Sequence, residues 1–270
     1  MIQPIKRLGQ NFLRDPNTIR KIVDSLEASA GDRVIEIGPG TGALTGLLAE
    51  RFEDFSAIEV DERAVEYLST QMPNVRVVLG DVLKINWPEM AEGASGGRIS
   101  VIGNLPYYIT SQILFGLLDA APHIQEAVIM MQYEVAARLV ARPRTKEYGI
   151  LSVAVQLACT PKLLFPVSKN VFYPKPDVRS AIVRLEFQPQ PESMPRAPEA
   201  GTPATQVDSK LLRRVIRTAF NQRRKTLRNS LSSVLGEFGK NLPDGLESKR
   251  AEELSPHDFV ELTLYLQETI

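Results

Sequence analysis

The chain has 270 residues, 43% of them hydrophobic, with 32 basic and 32 acidic side chains. That length admits one large core plus a smaller unit, and a formal net charge of zero leaves a polyanionic partner to be read from where the charge lies. The single cysteine, Cys159, excludes an intrachain disulfide framework, points to a reducing compartment and lacks the companions of a zinc or iron–sulfur site.

Residues 1–7 contain no apolar run of signal-peptide length, and no uncharged apolar stretch approaches the ~20 residues that span a bilayer. A cytoplasmic protein is expected, with neither a membrane nor a metal partner. From 33 to 132 short apolar runs alternate with amphipathic ones. Strands are predicted over 34–37, 55–60, 75–79, 99–103 and 127–132, and helices over 43–51, 62–72, 110–119 and 133–140. This rhythm predicts an α/β fold, a parallel Rossmann-like sheet covered by helices on both faces. Residues 151–158 read as a helix. The runs 163–167 and 181–187 read as strands that can form an antiparallel pair at one sheet edge. Domain one is therefore drawn over 1–187. Residues 188–205 carry Pro189, Pro191, Pro195, Pro198 and Pro203 and read as an extended linker. Beyond it, Leu211, Leu212, Val215, Ile216 and Ala219 recur at helical spacing, as do Leu227, Leu231 and Leu235. A small all-α domain is predicted over 206–270.

Gly38-Pro39-Gly40-Thr41-Gly42 follows the first long strand, and such a turn lets a ligand approach the backbone closely. Its Gly-x-Gly-x-Gly spacing suits a dinucleotide pyrophosphate poorly. Three acids close successive strands. Glu36 can meet a cofactor ammonium, Glu59 can accept ribose hydroxyls, and Asp81 can accept from an adenine amino group. Each alone is as readily a loop acid or a helix cap. Their gathering at the carboxyl edge of one sheet argues for a bound nucleoside.

Asn104-Leu105-Pro106-Tyr107 follows the fourth long strand. An adenine exocyclic amine is a poor nucleophile, because its lone pair is delocalised into the ring. Two acceptors around the amine hydrogens aim that lone pair. The Asn104 side-chain oxygen and the Leu105 main-chain carbonyl are the candidates. Tyr107 can stack on a base taken out of its own stack. Phe172, in a Pro-rich loop, can face the other side of the base or else anchor the edge hairpin from within the core. In that order, the two motifs point to methyl transfer from S-adenosylmethionine to an adenine nitrogen. Cytosine-carbon methylation needs a cysteine nucleophile, and Cys159 lies far from any strand-end motif. His123 and His257 are isolated.

Lys210, Arg213, Arg214, Arg217, Arg223, Arg224, Lys225 and Arg228 follow one another with no acid between them. Arg213, Arg217 and Arg224 can share a helix face while the leucines turn inward. The natural reading is a phosphate-binding surface, which Lys6, Arg7 and Arg14 can extend.

With these residues assembled, the chain resembles the bacterial small-subunit (16S) ribosomal RNA adenine N6,N6-dimethyltransferases, the KsgA or RsmA family. The resemblance runs from Lys6 to about Glu268. It is carried by Leu8-Gly9-Gln10-Asn11-Phe12-Leu13, by Ile35 to Gly42, by Asn104 to Ile109, by Phe172 to Val178 and by Phe220 to Asn229. It implies a class I S-adenosylmethionine-dependent methyltransferase. It further implies transfer of four methyl groups, two to each of two adjacent adenosines near the 3′ end of 16S RNA, in a late precursor of the 30S subunit. Cofactor contacts carry over to Asn11, Leu13, Gly38, Glu59, Asp81 and Asn104. Base contacts carry over to Asn104, Tyr107 and Phe172. A monomer is expected. Gln112 and Tyr133 depart from the family's usual proline and lysine and bear on RNA contact alone. A large-subunit methylase of the same chemistry is the alternative, disfavoured by the Gln222 to Arg228 run. A noncatalytic assembly factor is the other.

Overall fold

The computed structural model describes residues 2–188 and 207–268. The elements run β1 (Phe12–Leu13), α1 (Pro16–Val23), β2 (Val34–Ile37), α2 (Thr45–Arg51), β3 (Phe55–Glu59), α3 (Glu62–Gln71), β4 (Arg76–Leu79), α4 (Trp87–Met90), β5 (Ile99–Asn104), α5 (Thr110–Asp119), β6 (Ile124–Gln132), α6 (Tyr133–Leu139) and α7 (Ile150–Ala158). Next come β7 (Thr160–Val167), β8 (Phe172–Tyr173), β9 (Ser180–Glu186), α8 (Ser209–Asn221), α9 (Leu227–Ser230), α10 (Ser232–Glu237) and α11 (Pro256–Gln267). No helix among the described residues is long and apolar enough to cross a membrane.

Seven strands form one sheet in the order β4-β3-β2-β5-β6-β9-β7. The pairings from β4 to β6 are parallel, while β9 runs antiparallel to both β6 and β7. All four residues of β2 are buried, as a central strand covered on both faces requires. The β7–β9 pair is the antiparallel edge the sequence predicts. A separate two-stranded sheet pairs β1 with β8. The strand and helix predictions across 34–140 match this order, with ends displaced by a few residues. Helix α1, which the sequence reading omits, starts at an Asp15 cap that accepts from Thr18 N, with Pro16 in its first turn.

Contacts divide the described residues into two compact units. The first holds the sheet. The second joins 138–158 to the C-terminal helices. The domain boundary drawn at 187 kept 138–158 with the sheet. The run Ile150 to Ala158 offers little polar face, so it needs cover all round. It finds that cover in the second unit, where Val153 and Tyr148 share a core with Leu211, Val215, Leu227 and Phe259. Tyr148 donates its hydroxyl hydrogen to the Leu254 carbonyl at 2.9 Å. Apart from Gln188, the stretch read as a linker lies outside the described residues.

Candidate active site

Four adjacent strands, β4, β3, β2 and β5, end at one edge of the sheet. At those ends or just beyond them stand Asp81, Glu59, Gly38 and Asn104, in the order of the strands. They line a cavity of about 330 Å³ together with Asn11, Leu13, Leu105 and Tyr107. Eight of the nine residues assigned to catalysis and cofactor binding are thus brought together.

The ninth is not. Phe172 is 5% exposed and packs in the core with Leu13, Ile22, Val167 and Ile182, and it does not line the cavity. Pairing explains this. Leu13 of β1 faces Phe172 of β8, and alternation along β8 turns Phe172 inward and Tyr173 outward. Tyr173 is 45% exposed, with the Arg14 guanidinium 4.0 Å over its ring. Of the two readings left open for Phe172, the core anchor is the arrangement seen.

The glycine turn holds the cavity floor. Gly40 has φ +56°, and a Cβ there would sit 3.0 Å from the Phe12 ring. Its N–H donates to Glu59 Oε2 at 3.0 Å. Glu59 Oε1 accepts from Val60 N at 2.8 Å and Asp61 N at 2.9 Å. Burial raises the Glu59 carboxyl above the usual carboxylate range, and these three amides oppose the rise. The carboxylate is therefore held rigidly, with lone pairs left over for hydroxyl donors. Glu36 is 2% exposed and accepts from the Thr45 hydroxyl at 2.7 Å. Burial pushes it up to about 8, opposed by the Thr45 bond and assisted by the Glu59 charge. Asp81 Oδ1 accepts from Leu83 N at 3.0 Å and caps a short 3-10 turn over Val82–Lys84. It is at once a cap and a cavity residue.

Asn104 donates from Nδ2 to the Asn11 carbonyl at 3.0 Å. The following turn uses the Pro106 carbonyl, which accepts from Ile109 N and the Thr110 hydroxyl, and not the carbonyl of Leu105. Leu105 itself is 1% exposed and donates its N–H to Met130 O. The Tyr107 hydroxyl lies 2.7 Å from Ser180 Oγ on β9. Burial raises that phenol, and Ser180 partly opposes the rise.

This arrangement fits an elongated nucleoside cofactor. Carboxylates and a glycine turn sit where hydroxyl, amino and ammonium donors need acceptors, and an amide oxygen lies beyond them. The family model for ribosomal RNA adenine dimethylases matches residues 3–268. The chain belongs to that family. Its chemistry is ribosomal RNA adenine dimethylation with S-adenosylmethionine as methyl donor. A protein of Salinibacter ruber, ribosomal RNA small subunit methyltransferase A, is 47% identical over 264 residues, covering 98% of this chain and 85% of the relative. Its namesake in Parabacteroides distasonis is 40% identical over 272 residues, covering 99% and 95%. A dimethyladenosine transferase from Plasmodium falciparum has the same fold, with a TM-score of 0.75 at 23% identity over 94% of this chain and 96% of that one. The 23S rRNA methyltransferase ErmE superposes with a TM-score of 0.63 at 27% identity over 94% and 99%.

Sequence reasoning gave no role to four residues around this site. Thr45 and Ser180 hold Glu36 and Tyr107, and Gln10 and Asp61 bond each other. Two of these pairings have no local signal, because Gln10 meets Asp61 across 51 residues and Tyr107 meets Ser180 across 73.

In the second unit, Lys210, Arg213, Arg214 and Arg217 are exposed on α8, while Leu211, Val215, Ile216, Ala219 and Phe220 are buried. Arg223, Arg224, Lys225 and Arg228 are exposed as well. The fold supplies acids that the linear run lacks. Arg214 pairs with Glu237, and Arg223 pairs with Glu252 at 2.7 Å while donating to the Thr145 carbonyl. Arg217, Arg224, Lys225 and Arg228 make no ion pair among the described residues.

Proposed function

We propose that this chain dimethylates N6 of two adjacent adenosines near the 3′ end of 16S ribosomal RNA, acting in the cytoplasm on a late precursor of the 30S subunit. The observation that carries the reading is the orientation of Asn104. Its NH₂ is taken by the Asn11 carbonyl, so its oxygen is the atom available to an amine hydrogen. The 40–47% identity to proteins named for the small subunit, against 27% to a 23S rRNA methyltransferase, favours the small subunit.

When bound, S-adenosylmethionine supplies an electrophilic methyl on a sulfonium. The chain's residues do the rest by placement. Gly38, Glu59, Asp81, Asn11 and Leu13 hold the cofactor. The Asn104 oxygen and the Leu105 carbonyl accept the two amine hydrogens and direct the lone pair forward. Tyr107, tethered to Ser180, supports the base, and base–aromatic stacking contributes about 1–3 kcal/mol. Placement of two bound reactants can lower a barrier by roughly 7–11 kcal/mol, so no strong base is needed. The methylated amine carries an acidic extra proton that leaves to water. Arg217, Arg224, Lys225 and Arg228, without an ion pair among the described residues, offer cations to RNA phosphates. The chain acts as a monomer.

Incubation with labelled cofactor and unmodified small and large subunits, each separately, followed by mapping of the labelled nucleotides, tests this. Label confined to large-subunit RNA would support the ErmE-like reading instead. No transfer to either subunit would overturn both.

A further inference from the structure

The segment 5–13 crosses the cofactor cavity, and its Leu8, Gly9, Asn11 and Leu13 line it. At one end it is a strand. Leu13 pairs with Phe172, and Arg14 N donates to Val171 O at 2.8 Å. In the middle, Gly9 (φ +61°) passes so close to Tyr108 that a Cβ would come within 3.2 Å of its ring. The other end is held by side chains, with Arg63 Nη1 donating to the Gln3 carbonyl at 3.4 Å just before the segment. Gln10 Oε1 accepts from Ile5 N at 2.8 Å, and Gln10 Nε2 donates to Asp61 Oδ2 at 2.8 Å.

Asp61 is 6% exposed. Beside Gln10, its carboxylate takes the Arg63 guanidinium on both oxygens, at 3.0 and 2.7 Å. These bonds hold it below its ordinary carboxylate range, so it is a fixed anion. Its own N–H donates to Glu59, so one turn carries both the ribose-facing carboxylate and the anchor of segment 5–13. The next residue after Gln10 is Asn11, whose carbonyl orients Asn104.

We propose that Asp61 is a positioning residue for methyl transfer. Through Gln10 it docks segment 5–13, and the docked Asn11 carbonyl then sets the Asn104 amide. The amine-accepting oxygen is in place only when this segment is down. Asp61 touches neither reactant and acts through two intervening residues. The inference rests on the reading of Asn104 as the amine acceptor.

The test is a paired exchange of charge. Gln10→Glu sets a second carboxylate against Asp61 and should release the segment. Asp61→Asn in the same chain restores a donor facing an acceptor. Two measurements apply: hydrogen–deuterium exchange of residues 5–13 in the cofactor-free protein, and kcat on unmodified small subunits at saturating cofactor. Gln10→Glu is expected to speed exchange across the segment and to lower kcat by ~10-fold or more, the effect of losing a charge-assisted hydrogen bond. The double variant is expected to recover most of both. A merely structural role for Asp61, capping α3 and pairing Arg63, predicts a double variant no better than Gln10→Glu, and that result overturns the proposal. So does parental exchange in Gln10→Glu. Should Asp61→Asn fail to fold, Gln10→Ala at a half-buried site serves instead, with faster exchange and lower kcat expected and unchanged exchange decisive against. An inactive parent enzyme would sink the functional reading, while the exchange measurement still decides whether Asp61 docks the segment.

Discussion

Asn104 Nδ2 stands 3.0 Å from the main-chain oxygen of Asn11, a residue 93 positions earlier. A carbonyl oxygen only accepts, so the amide must turn its NH₂ toward it, and a flipped amide would set oxygen against oxygen. The contact therefore decides which atom of Asn104 faces the cavity.

Asn104→Asp keeps the shape and removes the donor. Its carboxylate faces the Asn11 carbonyl without a hydrogen to share, so the side chain should swing away. Turnover should fall by ~10²-fold or more, the usual effect of misplacing a reacting group by about an ångström. Labelled-methyl transfer measures it, and parental turnover would remove Asn104 from the amine-holding role.

Tyr107 and Ser180 make a second check. Tyr107→Phe keeps the ring and leaves a fully buried Ser180 hydroxyl without its partner. A stability loss of about 1–3 kcal/mol is expected. Adding Ser180→Ala should return part of it, because no polar group is then stranded. Chemical denaturation of the two singles and the double reads the coupling, and strictly additive losses would contradict a shared bond.

Glu36 makes stability depend on pH. Between its ordinary 4.5 and about 8 the unfolded chain has released a proton that the folded chain keeps. This group's contribution is therefore full below the lower value and declines as pH rises through the window, by at most ~1.4 kcal/mol per pH unit. Glu36→Gln preserves an acceptor for Thr45 and removes the titration. In the cofactor-free protein its Tm should drop less than the parent's between about pH 5 and pH 8. Parallel curves would show that Glu36 is ionised in the fold throughout.

The basic run should divide by pairing. Arg224 and Lys225 have no acidic partner among the described residues, so replacing both with alanine should flatten the log–log salt dependence of RNA binding by ~1.5–2 units. Arg223 already bonds Glu252 and the Thr145 carbonyl. Arg223→Ala should move the slope less and cost stability by at most ~1 kcal/mol. Equal slope changes from the three positions would show that RNA displaces Glu252.

Much of this site was legible because its signals are local. Acids that close successive strands, a glycine turn after the first and Asn-Leu-Pro-Tyr after the fourth all follow from hydrophobic period and punctuation. What stayed hidden depends on long-range pairing. Phe172 turns inward because β8 pairs with a strand that begins at Phe12. Gln10 and Asp61 meet across 51 residues. The run 151–158 reads correctly as a helix, yet nothing local assigns it to the C-terminal core. The acid-free basic segment meets Glu237 and Glu252 only once folded.

The four neighbouring strand ends also act as a gauge. With strands ~4.8 Å apart, the step from Asp81 to Asn104 covers three spacings, roughly 14 Å. Adenosine alone or methionine alone would reach only part of that length. In the proposed reading the joined molecule spans it, and each half raises the local concentration of the other. On that reading, discrimination between whole cofactor and its breakdown fragments follows from the spacing of the paired strands.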